Sequence, residues 1–299
     1  MAGRYESHYL RAVDPQRSRG AWIRHTTLQR PGGPPAASSW CTVWDAEAGP
    51  PVTAKVTAPA PHAVFGPLDA AAPGGKFAVR GDVPGRAAWD LTVAPVAAPL
   101  RHLPHPRLYA APLPRTKLES PAPAARISGT VAAGGRELAL DGWPGMAGHN
   151  WGAQHAETWL WLHGVAFAGA PGAWLDLAVG RVRVAGRTTP WIANGALELD
   201  GRRHVLGGLR AAVEVHALPT SATVRAGDAH VRVTAPPGQS VAWVYADPPG
   251  GEHHALNCSI ARIEVRHGDR TLTSDHGGVY ELGTRDRAHG IPVAPFPDP

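Results

Sequence analysis

Between Gly142 and Gly164 the chain reads GWPGMAGHNWGAQHAETWLWLHG, setting His149, His155 and His163 among Trp143, Trp151, Trp159 and Trp161. Imidazole exchanges protons near neutral pH, and indole faces attract cations, so this stretch could do acid–base work on an apolar molecule. The nearby AWLDLAVG adds Trp174 and the carboxyl of Asp176. Side chains alternate along a strand. Alternation places Trp159, Trp161, His163, Val165 and Phe167 on one face of TWLWLHGVAF, and Trp174, Asp176 and Ala178 on one face of the next segment. The opposite faces, with Leu160, Leu162, Leu175, Leu177 and Val179, read as packing surface. The plainer alternative is a Trp-rich floor whose N–H groups satisfy themselves. Gly148 and Gly152 bracket His149, Asn150 and Trp151, and imply a bend that aims His149 and Trp151.

The elements that must hold these groups are strands. The 299 residues include 35 Gly and 31 Pro, which leaves few stretches long enough for helices. Hairpin turns are expected at Gly134-Gly135, Asn194-Gly195, Asp200-Gly201, Gly227-Asp228 and Gly268-Asp269. The fold class is therefore all-β, of barrel or sandwich type. Proline recurs through 97–126, which predicts an extended crossover docked by its leucines, with His102 and His105 at the surface. A division near residue 186 gives domains 1–185 and 186–299, the first carrying GHNWG.

Composition excludes several classes. The net charge is +5, but the arginines are scattered rather than gathered in a stripe, so no nucleic-acid partner is expected. Cys41 and Cys258 fit no disulfide or metal spacing and read as buried thiols. The N-terminus lacks an apolar signal core and no apolar run could span a bilayer, so a cytoplasmic protein without stable membrane insertion is expected. GxSxG, P-loop and GxGxxG motifs are missing. His149, His155 and His163 could converge on a metal with Asp176 or His253-His254, yet their spacing matches no metal motif. No metal or cofactor is expected, and His253-His254 is placed on an exposed loop. Glu157 falls on the aliphatic side and reads as a salt-bridge partner.

GHNWG followed by AQHAETWLW resembles the signature of the hydroxyneurosporene synthase (carotenoid 1,2-hydratase) and AttH-like family. ESHYLRAVDPQRSRGAWIRHTTL, LPRTKLESPAPAARISGTV and GGVYELGTR are in keeping with it, so the resemblance runs over nearly the whole chain. It implies two tandem lipocalin-like antiparallel β-barrels. In the hydratase pattern an acid precedes His-Asn-Trp and a Tyr-x-Asp follows; here Gly148 stands at the first position, and Trp174 with Asp176 at the second. What the resemblance implies is a cofactor-free pocket for a hydrophobic isoprenoid or polyene, which it would hydrate, cyclise or isomerise. In that reading Asp176, kept protonated by burial beside Trp174, or protonated His149 delivers a proton. Trp151, Trp159, Trp161 or Trp174 would steady the cation, and His149 or His163 would position water. Arg24, on a face with Trp22 and Thr26, would bind an anionic or carbonyl head group if it faces inward, and is solvated if it faces out. The alternative is a binding module that holds a lipid or terpenoid unchanged. The oligomeric state is left open.

Overall fold

The computed structural model describes residues 3–58, 64–65, 75–184, 186–208 and 211–297, with backbone alone at 64–65. Its strands run β1 (Arg4–Val13), β2 (Arg19–Gln29), β3 (Pro35–Asp45), β4 (Val52–Ala58), β5 (Val64–Phe65), β6 (Phe77–Val83) and β7 (Ala87–Pro95). β8 (Leu100–Arg101), one helical turn α1 (Arg107–Ala110), β9 (Thr116–Ala133), β10 (Arg136–Gly152), β11 (Thr158–Gly164) and β12 (Trp174–Arg181) follow. Then come β13 (Arg183–Val184), β14 (Arg187–Thr188), β15 (Ile192–Leu199), β16 (Arg202–Gly207) and β17 (Val213–Leu218). The chain finishes with β18 (Ser221–Ala226), β19 (Ala229–Thr234), β20 (Val241–Ala246), β21 (Glu252–His267) and β22 (Arg270–Thr284).

Two large antiparallel sheets result, one a half-barrel and one a nearly closed barrel, as the all-β reading expects, with β13 and β14 forming a small separate ladder. Their orders, β4-β3-β2-β1-β10-β9-β7-β6-β5 and β16-β15-β12-β11-β22-β21-β19-β18-β17, are the same path traced twice. Even the off-path strands correspond, β8 on β9 and β20 on β21. The second sheet begins at β11. Ala185, the last residue of the expected first domain, lies outside the described residues, and β12 and β15 on either side of it pair with each other in the second sheet.

Several local expectations are corrected. Asn194-Gly195 is no turn but the middle of β15, paired to β12 and β16 on both edges, so sheet pairing overrides turn propensity. Gly134-Gly135, Asp200-Gly201, Gly227-Asp228 and Gly268-Asp269 do connect hairpins. The proline-rich crossover ends earlier than expected, because β9 starts at Thr116. Pro121 and Pro123 sit where the β9–β10 register slips, at positions with no ladder partner to lose. Strand alternation in β11 also stops at Gly164: Ala166 turns to φ +55°, and Val165 and Phe167 join the aliphatic core instead of the Trp face.

One face of the first sheet packs inward on Leu10, Ile23, Val43, Leu91 and Val131. Its other face, carrying Trp22, Trp40 and Trp44, packs on Trp243 of the second sheet. Trp44 Nε1 donates to Gln239 O at 2.9 Å and Trp243 Nε1 to Thr42 Oγ1 at 3.3 Å, so these two buried indoles are satisfied across the seam, whereas Trp22 Nε1 is buried with no partner among the described residues. Arg11 crosses it too, fully buried, donating to Gly277 O (3.0 Å), Ser259 O (2.9 Å) and His163 Nδ1 (2.9 Å). Burial without a carboxylate lowers its pKa to about 9.

Candidate active site

A cavity of about 360 Å³ lies between the sheets. Tyr5, Tyr9 and Arg24 line it from β1 and β2, Trp159 and Trp161 from β11, and Glu281 from β22. Leu103, Leu108 and Leu113 of the crossover form another wall, so the docked crossover is part of the chamber. The walls are chiefly aromatic and aliphatic, with a few polar groups converging, as ligand sites generally are.

Two glycines make room for the rings. A Cβ on Gly283 would lie 2.1 Å from Trp159 Cε2, so only glycine lets that indole rest on β22. There Trp159 Nε1 donates to Glu281 Oε1 at 2.9 Å. A Cβ on Gly148 would lie 2.3 Å from Tyr9 Cζ. The phenol ring of Tyr9 thus fills the space beside the backbone where the hydratase pattern carries an acid, and meets Trp161 edge-on at 5.1 Å. Burial raises the Tyr9 pKa well above its ordinary value, which keeps it a neutral donor.

The GHNWG residues divide between the two faces of β10. Asn150 lines the cavity, and its Oδ1 is buried with no hydrogen-bond partner among the described residues. His149 and Trp151 face away from it. The His149 ring stacks on His8 (4.2 Å) and Trp151 (4.4 Å), with Nε2 at 3.0 Å from Glu6 Oε1. Trp159, Trp161, Asn150 and Arg24 therefore border one chamber, whereas His149 and Trp151 do not share it. Trp174 is core, with the Arg203 guanidinium 5.0 Å from its ring. His163 is also buried away from the cavity: Nδ1 accepts from Arg11, and Nε2–H donates to Pro123 O at 2.9 Å. Burial, reinforced by the Arg11 charge, lowers its pKa to about 4, so it stays neutral.

Asp176 is not the protonated acid that burial alone suggests. Its Oδ1 accepts from Trp161 Nε1 at 3.0 Å, and Oδ2 accepts from Ser120 Oγ at 2.5 Å. His102 Nε2 stands 3.3 Å from the same oxygen. Burial pushes the carboxyl up, but the charge and hydrogen bond of His102, with His163 and Ser120, outweigh it and hold Asp176 well below the carboxylate range. His102, expected at the surface, is buried, and Asp176 offsets the cost of burial to raise its pKa. The network sits behind Trp161 and fixes that indole against the cavity.

The imidazole that borders the cavity is His155. Its Nδ1 lies 2.9 Å from Asp247 Oδ1, and its backbone N–H donates to the same oxygen at 3.0 Å. Arg285 Nη2 donates to Asp247 Oδ2 at 2.9 Å. Because Asp247 only accepts, Nδ1 carries the proton in the neutral ring, which leaves Nε2 as the nitrogen that takes up or gives a proton. Burial would raise the Asp247 pKa, yet the His155 hydrogen bonds and charge bring it down to about 2. The ring is clamped between Tyr5 (4.1 Å) and Trp159 (5.6 Å), and Nε2 is buried without a partner among the described residues. Glu157, by contrast, lies 3.6 Å from Arg285, the ion pair expected of it. His155 belongs to the aromatic stretch that drew attention in the sequence, but its partner lies far along the chain, and no local spacing connects them.

Among the described residues two groups have ligand atoms within 4.8 Å of one another and could hold a metal: Glu6–His8–His149 and His155–Asp247–His253. His253 and His254, expected on an exposed loop, are buried near the start of β21. Cys41 and Cys258 are buried free thiols, pushed up to about 12 by burial. No helix among the described residues is long and apolar enough to cross a membrane.

No family model matches the chain. It is similar to the uncharacterized protein Rv0493c of Mycobacterium tuberculosis, at 28% identity over 311 residues, covering 96% of this chain and 88% of that one. Among solved structures it is similar to the AttH candidate NE1406 of Nitrosomonas europaea, with TM-score 0.60 and 14% identity over 94% of this chain and 92% of that one. It is also similar to CghA, with TM-score 0.68 and 12% identity over 96% and 90% of the two chains. Kievitone hydratase from Nectria haematococca gives TM-score 0.59 and 10% identity over 95% and 89%. The chain thus has the AttH-like fold.

Proposed function

We propose that the protein is a cofactor-independent enzyme that hydrates, cyclises or isomerises a hydrophobic polyene-type molecule held between its two sheets. The observation that carries this reading is the Asp247–His155 pair, whose unpartnered Nε2 belongs to a ring lining an aromatic chamber. A base oriented by a carboxylate is the recurring device of proton-transfer sites. His155 takes a proton from water, or from a nucleophile within the substrate, and returns it to carbon, while the indoles and Tyr9 exclude bulk water. Asp176, already ionised, holds Trp161 in place. One neighbour of this fold is a hydratase by name, and CghA has been solved with the small molecule Sch210972; both support the choice of class.

The test is incubation of purified protein with acyclic isoprenoid polyenes, those conjugated to a carbonyl group included, followed by mass spectrometry for products isomeric with the substrate or heavier by one water. His155→Asn is expected to cut turnover by about 10²–10⁴-fold, the usual contribution of a positioned acid–base group. Asp247→Asn should lose a comparable share, and chelation should leave the rate unchanged. Ligand recovered unaltered under every condition would instead mark a binding protein.

A further inference from the structure

Arg24 is a buried cation that no carboxylate among the described residues answers. Its side chain lies on the face of β2 that carries Trp22, the residue is 4% exposed, and it lines the cavity. Nε donates to Ser7 Oγ at 2.7 Å, and the guanidinium lies 3.8 Å over the Tyr245 ring and 5.2 Å from that of Trp40. Nη1 is buried and has no acceptor among the described residues. Removing a guanidinium from water costs several kcal/mol unless charge or hydrogen bonds replace the hydration. Two aromatic faces and one hydroxyl replace part of it. They also lock the planar group, because Ser7, Tyr245 and Trp40 hold it from three sides. A rigid fork with an unused N–H, set in a water-poor chamber, suits an oxygen that carries or develops negative charge.

The second observation concerns the acid. A polyene hydrocarbon reacts with water only after a strong acid protonates it. Asp176 accepts hydrogen bonds from Trp161 and Ser120, is paired with His102 and lies behind the Trp161 indole, so it cannot serve. His155, with its lone pair on Nε2, is arranged as a base. Base and cation together fit addition to an electron-poor double bond, in which the protein stabilises an oxyanion rather than a carbocation.

We infer that the substrate is a conjugated carbonyl compound, an enone or dienone on an apolar chain, whose carbonyl oxygen is held by Arg24 while His155 acts at the far end of the conjugated system. This rests on the reading of the chamber as an active site. In hydration of an enone, whose far end is the β-carbon, His155 Nε2 takes a proton from water as the O–C bond forms there. The π electrons move onto the carbonyl oxygen, giving an enolate paired with Arg24. The enolate then collapses, the α-carbon takes the proton back from His155, and one water has been added with no other reactant.

The probe is pseudoionone, an acyclic isoprenoid dienone, compared with the alcohol made by reducing its carbonyl. With wild-type protein the dienone absorption is expected to shift to the red and its carbonyl stretch to fall in frequency, since the guanidinium polarises it. The alcohol should bind about ten-fold or more weakly, the weight of one charged hydrogen bond. Arg24→Gln should abolish both spectral shifts and make the two ligands bind alike, and Arg24→Lys should retain part of the shift. Equal binding of dienone and alcohol to wild-type protein, with an unshifted spectrum, overturns the inference without any variant, and leaves an apolar active site standing. An unchanged shift in folded Arg24→Gln overturns it equally. If neither ligand binds, the chamber reading falls, and the inference with it.

Discussion

The proton state of single side chains decides which of them can act. Asp176 was legible in the sequence as a carboxyl on a Trp face, but its ionisation was not. Burial alone argues for a neutral acid, and the opposing charge comes from His102, a residue of the proline-rich crossover with no periodicity to announce where it docks. The Asp176–His102 pair gives a pH signature with a definite sign. Asp176 is held below its ordinary 3.8, so its share of stability is complete above about pH 4 and is lost as pH falls. His102 is raised above 6.5, so its share is present below that value and is lost as pH rises through the folded pKa. Asp176→Asn is expected to destabilise the protein by about 3–5 kcal/mol between those limits, the usual cost of breaking a buried pair. The difference should shrink on either side. Urea melts across pH would show it, and a flat difference would remove the pair as the cause.

Strands convert sequence order into faces, and here alternation was informative up to a definite point. It set Trp159 and Trp161 together on the chamber wall and Leu162 behind them in the core, although Leu160, a core residue too, also reaches the chamber. It could not say which face of β10 meets the chamber. The ladder supplies that answer: Asn150 stands opposite Ser7 and His149 opposite His8, so alternate residues of β1 and β10 share each side. The conspicuous His149 and Trp151 lie on the side away from the chamber, and the less conspicuous Asn150 lies within it. Register across strands distant in sequence is invisible to any single window. The same element explains the departure at Gly148. Gly148→Asp, which restores the acid of the hydratase pattern, is expected to drive the Tyr9 ring out of its place, since even a Cβ approaches it to 2.3 Å. Overpacking of this kind costs about 1–3 kcal/mol. Differential scanning calorimetry should register that loss, together with weaker ligand binding; an unchanged melt would mean Tyr9 relocates freely.

Across the whole molecule, the turn pairs and breaker residues made the all-β class readable, whereas the doubling into tandem barrels came from the family resemblance alone, because equivalent strands share an order without sharing residues. The seam between the sheets is also acid-sensitive. His163 and His253 have pKa values lowered to about 4 mainly by burial, so an unfolded chain takes up protons before the native one does. Stability is therefore full above about pH 6.5 and declines as pH falls toward 4. His163→Gln, which preserves an acceptor for Arg11, should flatten part of that slope in a pH series of thermal melts. Arg11→Met should cost about 3 kcal/mol or more, since Ser259 O, Gly277 O and His163 lose their donor in a dry seam.

The chamber's position has one more outcome. Its walls draw on Tyr5 near one end of the chain and Glu281 near the other, so an occupant grips both halves at once. Any compound that fits acts as a clasp, and mass action then raises the melting point of the entire chain by an amount that grows with the logarithm of its concentration. Heat resistance gained by only one half would show that the occupant had lodged elsewhere.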